Sequence, residues 1–149
     1  MAMSIYMDRA KTVRAITERH YNCAQSVLVA FHDVIGLDEE QAYRLGSHFG
    51  AGMKMGATCG AITGAMMVLG LAGIDDADTL REIYRNFRER HNDMLNCRDL
   101  LAASAKAGVP RKTHCDGLVF EMVDATEKLL REKGVLPAAD SENEKLCNR

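Results

Sequence analysis

Apolar residues recur every three to four positions along almost the whole of this chain, and no segment shows the alternate-residue pattern, bounded by turn signals, that would make a strand. That regularity restricts the fold to helices packed on helices. With 149 residues the chain is long enough to bury a core without disulfide or metal staples. Two prolines and no tryptophan, against abundant alanine, leucine, glutamate, arginine and methionine, favour helix throughout. The expectation is an all-α fold: one compact bundle of six to seven helices over residues 1–136, with residues 137–149 as a polar, disordered tail.

The pattern divides as follows. Tyr6, Ala10, Val13, Ile16 and His20 mark one face of a first helix. A second spans 23–35, with Ala24, Val27, Leu28, Phe31 and Val34 inward and Gly36 as its stop. Asp38 and Gln41 form a capping-box signature for a third, carried through Tyr43, Leu45 and Phe49. Residues 50–56 are glycine-rich and predict a loop. The stretch from Cys59 to Ala72 is apolar nearly all round, so it predicts the buried central helix. Gly60 and Gly64 share one of its faces, which suits close approach of another backbone. A fifth helix opens on the acidic residues Asp75 to Asp78 with Leu80, Ile83, Tyr84 and Phe87 inward; a sixth runs over 97–106 and a last over 114–133.

Bulk charge excludes some functions. A net charge of −2, with scattered basic residues, is not the concentrated basic face of a nucleic-acid binder. The longest apolar run, 60–74, is shorter than the ~20 residues of a bilayer span, and residues 1–11 carry no signal-peptide pattern. A cytoplasmic location is expected, where cysteines read as metal-binding or redox-active before they read as structural disulfides.

Four of the five cysteines repay attention. Cys23, Cys59, Cys97 and Cys115 follow Asn22, Thr58, Asn96 and the pair Thr113-His114, so each is expected in the first turn of a helix. There the unpaired N–H groups and the helix dipole favour thiolate, the form that attacks disulfides and ligates metals. Their neighbours point inward: Val27 and Phe31 below Cys23, Leu100 and Leu101 below Cys97, Leu118 and Met122 below Cys115. Free cysteine is also a small hydrophobe that packs in cores. No C-x-x-C pair exists, so neither a zinc finger nor a thioredoxin motif is present, and without C-x-x-C-H no covalent haem is expected. His114, beside Cys115, is a candidate to lower its pKa or to replace a sulfur ligand. Cys147 lies apart in the tail and has no assigned role.

Taken together, Cys23-Ala24-Gln25, Cys59-Gly60-Ala61-Ile62-Thr63-Gly64, Cys97-Arg98-Asp99 and His114-Cys115 resemble a bacterial and archaeal family named for its pattern, C_GCAxxG_C_C. The resemblance covers about residues 5–133. It implies redox activity centred on the four cysteines, and members occur beside transport-related genes, which implies a redox partner protein or a transport-associated one. A similar domain in split-Soret cytochromes is associated with an iron–sulfur cluster. The leading expectation is therefore a two-iron cluster or other metal held by Cys23, Cys59, Cys97 and Cys115, with His114 as auxiliary, serving electron transfer or redox sensing. Two alternatives stand beside it: a metal-free thiol–disulfide protein, and a non-enzymatic helical scaffold that forms a homodimer.

Overall fold

The computed structural model describes residues 4–138. Seven α-helices occupy them: α1 (Ile5–Ala15), α2 (Cys23–Ala30), α3 (Glu39–Leu45), α4 (Gly60–Leu71), α5 (Ala77–Arg90), α6 (Cys97–Lys106) and α7 (Arg111–Glu132). The expected all-α bundle is what forms. Among the described residues the extended pairing is one isolated antiparallel bridge, Thr58 with Asn96. Most of the expected tail, 139–149 with Cys147, lies outside the described residues.

Local chemistry sets most helix starts. Ser4 caps α1 by accepting from the Met7 N–H at 3.0 Å. The expected capping box of Asp38 with Gln41 closes on α3 (2.8 and 3.0 Å), and a second, Asn22 with Gln25, forms on α2 (2.7 and 2.8 Å). Asp76 accepts from both the N–H and the hydroxyl of Thr79 to open α5.

Helix ends depart from the periodicity where tertiary contacts intervene. α1 stops at Ala15, so His20 is not on its stripe. Beyond it Arg19 is drawn into a two-pronged ion pair with Glu40 (2.8 and 3.0 Å) and lies 3.3 Å from the centre of the Tyr43 ring. The Tyr43 hydroxyl also donates to the His20 carbonyl at 2.9 Å, which holds this non-helical segment against α3. Helix α2 loosens into turns after Ala30, and α3 ends at Gly46 rather than Phe49. A side chain at Gly46 would meet the Gln25 backbone at 3.0 Å, so the chain passes close to α2 there.

Helix α4 is the apolar core helix anticipated, with Ala61, Ile62, Ala65 and Val68 fully buried. Helix α2 shares the centre: every residue from Ala24 to Phe31 is buried, and the helix packs on α1, α3, α4 and α7. The α2–α4 contact is close because Gly60 and Gly64 face Ala24; a Cβ on Gly64 would meet the Ala24 carbonyl oxygen at 3.0 Å. Around this pair Leu100, Val119, Val123 and Leu130 complete the core, each fully buried large side chain contributing about 1.5–3 kcal/mol. Helix α5 adds Thr79, Ile83 and Phe87 from the outside.

Candidate functional site

Three helix starts and one helix flank meet at one end of the bundle. Cys23 is the first residue of α2, Cys59 is the N-cap of α4, and Cys97 is the first residue of α6. The glycine face of α4 places Cys59 beside the start of α2; a Cβ on Gly60 would approach Cys23 Cβ at 3.3 Å. The bridge between Thr58 and Asn96 ties α4 to α6, with the Cys59 N–H donating to Leu95 (2.9 Å) and the Cys97 N–H to Ala57 (2.7 Å). All four expected cysteines then open onto one cavity of about 660 Å³.

Cys115 does not stand where the sequence placed it. Helix α7 begins at Arg111, immediately after Pro110, so Cys115 lies in the second turn and Thr113 is not the cap. Proline has no N–H to leave unpaired and its fixed φ admits a helix directly after it, which overrides the weaker threonine signal. Asn96 likewise makes no side-chain cap bond, its neighbours being engaged in the bridge.

The expected effect of helix starts on acidity is reversed as well. At Cys59 burial pushes the thiol up to about 11, although the Ala61 and Ile62 N–H groups act in the opposite sense. Burial also raises Cys97. Cys23 is raised well above the ordinary thiol value because it donates a hydrogen bond to Cys115 and is buried. Cys115 alone is lowered, to about 6, by accepting that bond, with the Arg14 and Arg111 guanidiniums adding to it. Desolvation of a small anion outweighs the dipole of a first turn unless a donor or a cation compensates.

The cations come from residues that the sequence did not single out. Arg111 is one turn before Cys115 on the same helix, a spacing that was available as a signal. Arg14 arrives from α1 and is positioned by Asp116 (2.6 Å) and by donating to the Tyr21 carbonyl (2.7 Å), and no local pattern announces that. Lys112 joins the same carboxylate at 2.9 Å and donates to the Arg14 carbonyl at 2.8 Å. Burial works against ionising Asp116, yet Lys112 and Arg14 hold its carboxyl below the usual range.

His114 borders the cavity, but its Nε2 is buried without a hydrogen-bond partner, and desolvation followed by His91 lowers its pKa. A neutral imidazole supplies no cation to Cys115, so the acidifying role envisaged for it falls to the arginines. His91 is itself engaged with Glu121 at 2.8 Å. Four thiols are the right kind of donor for an iron–sulfur cluster. Their arrangement is not preset for one: among the described residues no three cysteine, histidine, aspartate or glutamate side chains gather closely enough to hold a metal ion.

A family model described as "Putative redox-active protein (C_GCAxxG_C_C)" matches residues 21–129. The chain belongs to the C_GCAxxG_C_C family. All four cavity cysteines, with Arg111 and His114, fall inside the C_GCAxxG_C_C match, whereas Arg14 precedes it. No curated protein and no solved structure matches the chain. Among the described residues no helix is long and apolar enough to cross a membrane.

Proposed function

We propose that this member of the family is a thiol-based redox protein whose reactive pair is Cys115 and Cys23. The observation that carries the reading is that Cys23 and Cys115 share the wall of one cavity, where the interaction of the two thiols raises the first and lowers the second. A thiolate that accepts a bond from a second thiol is already next to the group that must resolve it. Cys115, with Arg14 and Arg111 balancing its charge, attacks a disulfide sulfur; Cys23 then attacks Cys115 and closes the intramolecular bond. Cys59 and Cys97, held as thiols by burial, stand as a reserve on the same wall.

Mild oxidation of the reduced protein should remove thiols in steps of two, the first step being a Cys23–Cys115 disulfide identifiable by peptide mass and reversible with dithiothreitol. If all four cavity thiols stay free under oxidant, or Cys23 and Cys115 never pair, the reading fails.

An iron–sulfur cluster on Cys23, Cys59, Cys97 and Cys115 is the second reading, favoured by the presence of four soft donors on one cavity. It requires these side chains to draw together on loading, and would supply one-electron transfer. Anaerobically purified protein should then be coloured and contain stoichiometric iron; a colourless protein that resists reconstitution would overturn it.

A further inference from the structure

The cavity has a charge asymmetry that thiol exchange alone does not need. Its wall carries four cationic side chains, Arg14, Lys54, Arg111 and Lys112, and no carboxylate, in a chain whose net charge is −2. Asp116, which is not on the wall, is shared between Arg14 and Lys112 and offsets one of their two charges. Arg111 and Lys54 have no carboxylate partner among the described residues.

Lys54 reaches the rim on strained backbone. Ala51, Met53 and Lys54 all lie in the left-handed region, at φ 50°, 58° and 57°, with Gly52 and Gly56 also positive. Such a run costs roughly 1–2 kcal/mol for each residue with a Cβ. It is held by wide-turn hydrogen bonds from Gly56 to Ala51 (3.1 Å) and from Ala57 to Gly52 (3.0 Å). Strain of this sort persists at positions where the surrounding structure over-determines it, which happens most often beside binding sites.

The size and lining specify the rest of the ligand. About 660 Å³ is within the range of small-molecule sites. Beneath the charged rim the wall is apolar, with Val13, Ile16, Leu100 and Leu118. Cys23 and Cys115 are partly buried and Cys59 is 3% exposed, so the thiols are set into the cavity wall, where a small molecule reaches them readily.

We propose that the cavity takes a small anionic disulfide, its carboxylate or equivalent anion on Lys54 and Arg111 and its sulfur–sulfur bond against Cys115. This rests on the dithiol reading above and adds the substrate class to it. Cys115 Sγ forms a bond to one substrate sulfur as the S–S bond breaks, and the first thiolate leaves. Cys23 then loses its proton, bonds to Cys115 Sγ, and expels the second thiolate. The substrate gains two electrons and emerges as two thiols, one proton coming from Cys23 and one from water; the protein pair is oxidised to a disulfide. An external dithiol restores it for another cycle.

The test is a single-turnover comparison on the reduced full-length protein at low ionic strength, using three disulfides of similar size. Dithiodipropionate carries two carboxylates, bis(2-hydroxyethyl) disulfide is neutral, and cystamine carries two ammonium groups. Formation of the Cys23–Cys115 bond is followed by acid quench and alkylation, each rate being divided by that of the same disulfide with free mercaptoethanol. Dithiodipropionate should react about tenfold faster than the neutral compound, and cystamine slower than it. The anionic-to-neutral ratio should fall toward one in 1 M salt and in Lys54→Asn, a substitution that tolerates the left-handed backbone. Equal normalised rates, or cystamine reacting fastest, would overturn the anionic assignment while leaving the dithiol pair in place. Faster reduction of a folded protein disulfide than of all three would overturn the small-molecule assignment. If no disulfide closes the Cys23–Cys115 bond, it is the dithiol reading that fails.

Discussion

Cys115 accepts a hydrogen bond from Cys23, has Arg14 and Arg111 beside it, and feels Cys59 and Cys97 across the cavity. The balance favours thiolate, and the sign of its pH dependence follows. Because its pKa is depressed to about 6, the thiolate is present at neutral pH and is lost as pH falls through that value. Iodoacetamide modification of Cys115 should therefore rise through pH 6 and level off, whereas Cys59, raised to about 11, should stay unmodified at neutral pH. In Cys23→Ala the donor is gone, so the Cys115 midpoint should move up toward the ordinary thiol value; an unmoved midpoint would assign the effect to the arginines alone. The pair titrates as a unit, so the midpoint belongs to both residues. The same shift couples to folding: a depressed pKa stabilises the native state above the unfolded thiol value, and that stabilisation disappears as pH drops through about 6.

The elements that carry these residues depend on two local devices. Asn22 caps α2 through its Oδ1, and its Nδ2 donates to the Gly46 carbonyl at 3.0 Å, so one buried side chain fixes both the helix start and the end of α3. Replacing it with alanine should cost about 1–2 kcal/mol in urea denaturation, through the lost cap. It should also loosen Cys23, seen as a slower closure of the Cys23–Cys115 bond on oxidation. The second device is the glycine face of α4. In Gly64→Val the new side chain would push into Ala24 and Val27, and a loss of about 1–3 kcal/mol is expected from overpacking. A variant as stable as the parent would mean that α2 and α4 can separate without penalty. The position of α7 depends on Pro110 and on the Arg14–Asp116 ion pair, which locks α7 to α1.

Across the whole molecule, the Cys23–Cys115 bond would join α2 to α7 and close a loop on the order of 90 residues, worth up to about 4–5 kcal/mol by chain entropy. The oxidised protein should therefore melt at a higher temperature than the reduced one, measured by circular dichroism with and without dithiothreitol; a lower melting temperature on oxidation would place the bond in a strained geometry. By itself the sequence determined the all-α architecture, the Asn22 cap and the Asp38–Gln41 capping box, the close-packing glycines of α4 and the identity of the four cysteines that line the cavity. These follow from periodicity and from interactions within a few residues, as with Asn22 and Gln25 or Asp38 and Gln41. Tertiary structure decided which thiol is acidic. Helix-start logic favoured all four alike, but burial raised Cys59 and Cys97, the bond to Cys115 together with burial raised Cys23, and Cys115 was lowered by that thiol donor from α2 and by Arg14 from α1 and Arg111. Desolvation and the placement of a distant arginine depend on how the helices assemble, and no stretch of adjacent residues encodes either one.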